Sequence, residues 1–271
     1  FQSHIEQTAF EKMVEEARSL IRQGDMFQSV LSQRFSAEYS GRPLDYYRNL
    51  RVTNPSNYLY FYDFGDYQII GASPESLVSV KQGQVTTNPI AGTRPRGKDE
   101  REDKSLAEEL LADEKEVAEH RMLVDLGRND IGKIAQNNSV EVTKYMEVEY
   151  FRYVMHLTSV VRGQLLPQLT AMDALKSTLP AGTVSGAPKI RAMKRIYELE
   201  QEKRGIYAGA IGYLSATGDM DFAIAIRTMI LKNGRAYVQA GAGIVYDSIP
   251  VNEYQETINK AKSMTKIGDM Q

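Results

Sequence analysis

The chain has 271 residues, of which 42% are hydrophobic and 25% charged, and its formal net charge is −2. This composition is ordinary for a globular protein and offers no basic surface of the kind that binds nucleic acid. The absence of cysteine excludes disulfides and thiolate metal sites, and no apolar run approaches the roughly 20 residues that a membrane-spanning helix needs.

The first third of the chain predicts a helix, a strand and two hairpins. Apolar residues at positions 10, 13 or 14, 17 and 20 or 21 fall on one stripe of a helix that Gly24 would end. Residues 26–40 alternate like a strand. Residues 57–73 contain two aromatic and β-branched runs around the turn DFGD, and residues 76–90 repeat this design around KQG, so each predicts a hairpin.

The rest of the chain predicts further strands between charged helices. Residues 102–122 predict one helix, residues 139–166 predict strands, and residues 187–203 predict a second helix. Residues 207–248 predict three strands with turns at TGD and KNG, and a last helix begins near Pro250. Hairpins outnumber strand–helix–strand units. We therefore expect an α+β protein with large antiparallel sheets and helices packed outside, in one domain over residues 1–271.

Three loops carry small residues beside hydroxyl and cationic groups. In residues 179–189, LPAGTVSGAPK, glycines let the backbone approach a ligand, and a threonine, a serine and a lysine offer donors. The helix expected after this loop would present unpaired N–H groups to an anion. Residues 88–97, NPIAGTRPRG, and residues 239–248, QAGAGIVYDS, repeat the design. Each loop alone is typical of a turn or a sheet edge. Together they favour a small acidic ligand, and the missing phosphate-loop spacing favours a carboxylate.

Two pairs of glutamates have the i, i+3 spacing that places both carboxylates on one helix face. Glu116 and Glu119 form the first pair, and Glu253 and Glu256 form the second, with Lys260 four residues further on. Either pair alone is typical of a solvated helix face. Together they would suit one Mg²⁺, which takes oxygen ligands and often bridges to an anionic substrate. Zinc is disfavoured because the chain has no cysteine and three histidines.

Two polar side chains lie in apolar stretches. His156 lies in the run YVMHLTSV, where a lone histidine is most often structural. Arg227 lies at the centre of the apolar run FAIAIRTMI and needs an anionic partner, because an unpaired buried charge is costly. Tyr207 and Tyr213 are consistent with packing. Composition and spacing therefore indicate a site for a small carboxylate and a candidate Mg²⁺ site.

The motifs taken together resemble those of the chorismate-utilising enzymes. The matching stretches run in the family's order over nearly the whole chain: DMFQSVLSQRF, GASPESLV, PIAGTRPRG, EHRMLVDLGRNDIG, LPAGTVSGAPK, DFAIAIRTM and QAGAGIVYDS. The combination of DLGRND with GTVSGAPK is highly specific. The resemblance is strongest to the family's large subunits that make anthranilate for tryptophan biosynthesis. It implies a two-sheet antiparallel α+β sandwich and a cytoplasmic, Mg²⁺-dependent lyase that acts on chorismate.

The resemblance also implies roles for individual residues. Matched by motif, the Mg²⁺-associated glutamates are Glu116, Glu119, Glu253 and Glu256. The substrate-binding residues are Gly92, Thr183, Tyr207, Arg227, Gly241, Gly243 and Lys260. Glu75 in SPES matches the acid that protonates the departing ring hydroxyl, a role that requires a raised carboxyl pKa. His156 matches a histidine associated with hydroxyl departure or pyruvate elimination.

Two positions bear on the nucleophile within the family. Gln28 aligns where relatives that use water carry a lysine base, and a neutral amide cannot serve as that base. Ala91 aligns where aminodeoxychorismate synthases usually carry lysine. The resemblance therefore implies that ammonia adds at ring carbon 2 while the hydroxyl at carbon 4 leaves, and that loss of pyruvate then yields anthranilate. Formation of aminodeoxychorismate is the alternative within the enzymes.

The source of ammonia and the family's regulatory segment lie outside these motifs. A glutaminase needs a cysteine nucleophile, which this chain lacks, so a glutamine amidotransferase subunit would supply ammonia in a hetero-oligomer. The resemblance implies that the family's N-terminal segment, which helps build the sandwich and holds the tryptophan feedback site, precedes the first residue here, and we therefore expect no tryptophan inhibition. A truncated, non-catalytic carboxylate-binding module is a second alternative, disfavoured by the retained glutamates, Arg227 and Lys260.

Overall fold

The structure is a computed structural model that describes residues 1–152 and 154–266, and it confirms the α+β class with large antiparallel sheets. The chain divides into two units. The first unit comprises Phe1–Pro74, Pro180–Ile211 and Ala223–Gln271, and the second comprises Glu75–Leu179 and Gly212–Phe222. That residues 1–271 form one catalytic domain stays a prediction, and residues 267–271 lie outside the described part.

The helices follow amphipathic stripes of the sequence, and each buries apolar side chains on one face. In the described residues they are α1 (Gln7–Arg22), α2 (Pro43–Thr53), α3 (Glu100–Ala112), α4 (Glu114–Gly132), α5 (Ala171–Thr178), α6 (Lys189–Leu199) and α7 (Pro250–Thr265). In this part of the chain, none of them is both long enough and apolar enough to span a bilayer.

Most of the longer strands fall where aromatic and β-branched residues are frequent. They are β1 (Gln2–Ser3), β2 (Gln28–Glu38), β3 (Tyr58–Asp63), β4 (Tyr67–Ser73), β5 (Ser76–Lys81), β6 (Gln84–Thr87), β7 (Ile90–Pro95), β8 (Glu141–Tyr150), β9 (Val154–Gln164), β10 (Gly186–Ala187), β11 (Ala210–Leu214), β12 (Met220–Ile224), β13 (Thr228–Lys232) and β14 (Arg235–Ile244). The predicted hairpins are confirmed as β3–β4 and β5–β6.

The first unit is built on a sheet with strand order β1-β2-β14-β13-β4-β3, with β10 also paired to β2. Strand β14 is central, and its residues Gly241 and Gly243 face Ser32 and Val30 of β2 in the antiparallel register. Phe10, Leu31 and Ile244 belong to one buried apolar cluster of this unit. Burial of each such side chain contributes roughly 1.5–3 kcal/mol, so this packing fixes α1 and the strands beneath it.

The second unit contains most of a sheet with strand order β11-β12-β5-β6-β9-β7, and β8 also pairs with β9. Leu110 of α3 packs with Met155 and Leu157 of β9 in its buried cluster. Between Ala91 and Thr93, the pairing of β7 with β9 shifts register, which places a bulge at Gly92. Bulges of this kind redirect side chains and are frequent beside functional sites.

The structure corrects three sequence-based boundaries. The single helix expected over residues 102–122 is two helices, because the Asp113 carboxylate accepts hydrogen bonds from the backbone N–H groups of Lys115 and Glu116 and caps α4. The second charged helix is shorter than expected and ends at Leu199. The three strands expected over residues 207–248 are four, since the chain leaves the ladder around Arg227.

Candidate active site

A cavity of about 420 Å³ in the first unit gathers several of the predicted residues. Arg227 enters it from the connection between β12 and β13. The other lining residues share one face of α7, because their spacing follows the helical repeat: Asn252, Gln255, Glu256, Asn259 and Lys260. The opposite face of α7 buries Thr257, Ala261 and Met264. One helix therefore presents a polar face to the cavity while its apolar face packs.

The apolar run predicted that Arg227 lies inside a strand, and this prediction was wrong. Arg227 lies between β12 and β13 with φ of +50°, in the left-handed region that side chains other than glycine seldom adopt. Burial lowers the pKa of its guanidinium, and the neighbouring Tyr207 opposes that shift. Across residues 1–152 and 154–266, no carboxylate lies within ion-pair distance of this guanidinium. A half-buried cation of this kind has the right charge for an anionic ligand.

Lys260 is held between α7 and β14. Its Nζ lies 2.5 Å from Oε1 of Glu256 and donates to the carbonyl oxygen of Gly241 at 3.1 Å. The ammonium is therefore fixed at the cavity wall by one neutral and one charged acceptor. An incoming carboxylate could share it, since an ammonium has three donors.

Two glycines of β14 give other side chains room above the sheet. A Cβ on Gly241 would lie 2.6 Å from the Tyr207 hydroxyl, and a Cβ on Gly243 would lie 2.9 Å from Nε2 of Gln28. The glycines are not at a sheet edge, because β14 is paired on both sides by β2 and β13. Their role is to let Tyr207 and the buried Gln28 approach the backbone closely.

The small-residue loop at 179–189 is ordered by β2. Gly182–Val184 forms one turn of 3₁₀-helix that carries Thr183, and Gly186–Ala187 forms β10. The N–H of Val30 donates to the Ser185 carbonyl at 2.8 Å. Helix α6 then begins at Lys189, as the sequence predicted. Thr183 therefore sits on a loop that is tied to the sheet of the first unit.

In the second unit, His156 of β9 is bonded to the bulge at Gly92. Its Nδ1 lies 2.9 Å from the Gly92 carbonyl oxygen and 3.1 Å from the Thr93 hydroxyl. Because a carbonyl only accepts, Nδ1 donates its proton to it, and Nε2 is the ring nitrogen that remains for another contact. A Cβ on Gly92 would lie 3.3 Å from Oε2 of Glu116, so the bulge, the histidine and this carboxylate adjoin one another.

Carboxylates crowd around the start of α4. Burial raises the pKa of Glu116, and the nearby charges of Glu119 and Asp113 raise it further, while Arg94, 3.8 Å away, partly offsets them. Crowded, partly desolvated carboxylates suit a hard cation with oxygen ligands. Within the described residues, no three or more His, Asp or Glu side chains are already grouped to hold a metal ion. The donor set thus has the chemistry for Mg²⁺, and the metal site stays a prediction.

The predicted residues are distributed over both units. Glu75 lies partly buried in the connection between β4 and β5, and Glu253 lies in the first turn of α7. The first unit holds Gln28, Thr183, Tyr207, Arg227, Gly241, Gly243, Glu253, Glu256 and Lys260, and the second holds Glu75, Gly92, Glu116, Glu119 and His156. The roles of these residues stay predictions.

Sequence reasoning missed three amides of the cavity wall, Asn252, Gln255 and Asn259. Their spacing from Glu256 and Lys260 along the helical repeat was a signal that could have identified them. It also missed the i, i+4 ion pair between Glu200 and Arg204, whose further hydrogen-bond partners lie on other segments of the chain.

Comparisons with known proteins agree on one family. The family model described as "chorismate binding enzyme" matches residues 1–266. Anthranilate synthase component 1 of Lactococcus lactis subsp. lactis is 63% identical over 268 residues, covering 99% of this chain and 59% of the relative. The crystal structure of anthranilate synthase component I from Streptococcus pneumoniae TIGR4 superposes with a TM-score of 0.92 at 81% identity, covering 97% of this chain and 59% of that one.

A more distant relative shares the fold. The menaquinone-specific isochorismate synthase MenF from Escherichia coli has a TM-score of 0.89 at 26% identity, covering 98% of this chain and 62% of that structure. The chain spans a little over half the length of the curated relatives it matches.

Proposed function

The chain belongs to the chorismate-binding enzymes, and from this membership we propose that it converts chorismate to anthranilate and pyruvate with ammonia as nucleophile, in tryptophan biosynthesis. Relatives that are 63% and 81% identical to it bear the name anthranilate synthase component I. The structural observation that carries the proposal is Arg227. Its guanidinium is desolvated, has no carboxylate partner among the described residues, and shares a cavity with Lys260. Chorismate, a dicarboxylate, has the charge to pair with both.

Substrate binding is assigned first to the cationic groups of the cavity. Arg227 can bind a carboxylate with two parallel N–H groups, and Lys260 can add a point charge from the cavity wall. Tyr207 would add a hydroxyl donor above Gly241. We assign Thr183 and the backbone at Gly92 to further substrate contacts. These groups orient the ring and leave the chemistry to acid and base residues.

Proton transfers are assigned to Glu75 and His156. Glu75 would donate a proton to the ring hydroxyl as it leaves, which makes water the leaving group. With its Nδ1 proton committed to Gly92, His156 offers Nε2 as the atom that could accept or return a proton during hydroxyl departure or pyruvate elimination.

The choice of ammonia follows from Gln28. This side chain is 3% exposed and carries a neutral amide, so it cannot remove a proton from water as a lysine base would. Ammonia needs no such base, because it already carries a lone pair. Ala91, at the bulge before Gly92, places no amine there, and this supports anthranilate over aminodeoxychorismate as the product.

We assign Mg²⁺ to Glu116, Glu119, Glu253 and Glu256. When bound, the ion would supply positive charge that neutralises and orients a substrate carboxylate. The crowding that raises the pKa of Glu116 supports this assignment, since a cation would relieve it. Ammonia would come from a glutamine amidotransferase subunit in a hetero-oligomer, because a chain without cysteine lacks that enzyme's nucleophile. A cytoplasmic location is part of the same proposal.

Product identification tests the proposal. The purified chain is incubated with chorismate, Mg²⁺ and an ammonium salt at mildly alkaline pH, and the products are separated against authentic standards. Anthranilate and pyruvate in equal amounts are expected, and glutamine alone should support no turnover. Release of 4-amino-4-deoxychorismate or isochorismate as the main product would contradict the proposal. Calorimetric binding of chorismate without turnover would instead indicate a non-catalytic binding module.

A further inference from the structure

A buried ion pair lies behind the small-residue loop. Glu200 follows the last residue of α6, and Arg204 follows four residues later. Nη2 of Arg204 donates to Oε1 of Glu200 at 2.6 Å, and Nε donates to Oε2 at 2.8 Å, so the contact is bidentate. The side chain of Glu200 is 6% exposed and that of Arg204 is 17% exposed. Glu200 also accepts hydrogen bonds from the backbone N–H and the hydroxyl of Ser32, at 2.8 and 2.9 Å.

The same guanidinium holds three segments that carry proposed site residues. Nη1 donates to the carbonyl oxygen of Val184 at 2.6 Å, which fixes the 3₁₀-turn that contains Thr183. Nη2 donates to the carbonyl oxygen of Val30 at 2.6 Å, two residues after Gln28 on β2. The guanidinium carbon lies 5.5 Å from the centre of the Tyr207 ring, in a cation–π contact.

No other residue type can make this set of contacts. The guanidinium is planar and directs several N–H groups outward at fixed angles, so it can bind a carboxylate, two carbonyls and a ring face at once. A lysine at this position would supply a point charge on a flexible stem. It could keep the charge balance with Glu200 but would lose the fixed geometry toward Val184, Val30 and Tyr207.

We propose that Arg204 is a positioning residue that aligns Thr183, Tyr207 and Gln28 relative to one another, with Glu200 fixing its orientation. The inference rests on the proposed function, because it assigns Arg204 a part in preparing that site. Arg204 contacts the Tyr207 ring and the backbone carbonyls of Val184 and Val30, and no reacting group is assigned to it. Replacing Arg204 is therefore expected to make the loop at residues 179–189 less ordered, and to lower turnover as a consequence.

The test compares Arg204→Lys with Arg18→Lys. Arg18 is a matched control, since its side chain is 16% exposed and pairs with Glu15 at 2.5 Å, yet it contacts none of the proposed site residues. For each variant, kcat and KM for chorismate, thermal unfolding and hydrogen–deuterium exchange of residues 180–188 are measured. If Arg204→Lys does not fold, Glu200→Gln takes its place, because a neutral amide keeps one acceptor for Arg204.

We expect Arg204→Lys to lower kcat/KM at least tenfold and to speed exchange in residues 180–188 at least fivefold, with Arg18→Lys within twofold in both. Unchanged exchange in that loop would overturn the proposal, whether or not turnover falls. Faster exchange with unchanged kcat/KM would overturn it as well. If the unaltered chain forms no anthranilate, the proposed function fails, and the exchange measurement still decides by itself whether Arg204 orders the loop.

Discussion

The ammonium of Lys260 lies 2.5 Å from the carboxylate of Glu256, one turn earlier on α7, and both line the cavity that contains Arg227. An i, i+4 pair on an exposed helix is worth only a few tenths of a kcal/mol. Here each partner also faces a cavity in which a ligand of opposite charge could replace the other. The pair can therefore keep both charges in place without a ligand and separate at small cost when one binds.

Replacing Arg227 should separate activity from stability. In Arg227→Gln, loss of the proposed carboxylate contact is expected to cost roughly 2–5 kcal/mol, or about 30-fold to several thousand-fold in kcat/KM. Thermal stability should stay equal or rise, since the variant removes a desolvated charge that has no carboxylate partner among the described residues. Steady-state kinetics and thermal unfolding measure the two effects. A fall in unfolding temperature of several degrees would contradict this view of Arg227.

The proposed metal ligands predict dependence on Mg²⁺. Removal of divalent ions with a chelator should abolish turnover, and added Mg²⁺ should restore it. Glu119→Gln should lower kcat/KM by about 100-fold or more through loss of one carboxylate ligand. Glu114→Gln on the exposed face of the same helix is the control and should remain within twofold. Full activity after thorough chelation would remove the basis for the metal assignment.

The two glycines of β14 should differ in their tolerance of alanine. In Gly241→Ala, the new Cβ would meet the Tyr207 hydroxyl at 2.6 Å and the Leu31 carbonyl oxygen at 2.9 Å, so backbone must move. We expect a loss of about 1–3 kcal/mol in unfolding free energy and at least tenfold in kcat/KM. In Gly243→Ala, the conflict at 2.9 Å involves the end of the Gln28 side chain, and the loss of stability should be smaller. Denaturant titration of both variants measures the loss of unfolding free energy. Equal losses would contradict the prediction and show that the structure around Gly241, including Tyr207, adapts to the added Cβ.

Gln28→Lys should alter the choice of nucleophile. Buried lysines have lowered pKa values, so a lysine at this 3% exposed position would be partly neutral and could remove a proton from water. Amination should fall, and some water-addition product should form. Gln28→Met, which has similar volume and no titratable group, is the control and should give no such product. Chromatography of both reactions decides, and identical product mixtures would argue against a role for position 28.

The ionised carboxylate of Asp25 should make the stability of the protein sensitive to acid. Hydrogen bonds from Arg195 and Arg191 hold the pKa of its carboxyl well below the ordinary value. The unfolded chain therefore binds this proton more readily, so the stabilisation is complete above about pH 5 and is lost as the pH falls below about 4. Asp25→Asn should unfold at a lower temperature at pH 7 and show a shallower decline between about pH 5 and pH 2. Parallel declines for the variant and the unaltered chain would contradict this assignment.

Local patterns predicted the local parts of this structure. The hairpins at β3–β4 and β5–β6, the helix that follows Pro250 and the helix that follows the loop at 179–189 are confirmed, because alternation, turn residues and first-turn proline act over a few residues. The division at Asp113 was missed, since apolar spacing continues through it and only the capping bonds reveal the break. The predicted position of Arg227 inside a strand was wrong, because an apolar run does not show where strand pairing ends.

Sequence motifs identified individual residues of the candidate site, but not the contacts that bring those residues together. Gly92, His156 and Glu116 were identified from separate motifs, and the bulge that joins them depends on strand pairing. Arg204 could not be found in this way, because its acceptors at Val30 and Val184 lie up to 174 residues away along the chain.

The pairing of β2 with β14 has a consequence for synthesis of the protein. These strands lie at opposite ends of the chain, and α7, which forms one wall of the cavity, follows β14. A nascent chain on the ribosome holds β2 long before β14 exists, whereas residues 75–179 can begin to fold early, because most of their partners are nearby in sequence. Ligand-binding capacity in the first unit therefore arises only after α7 has been synthesised, and until then the edge of β2 that pairs with β14 is uncovered.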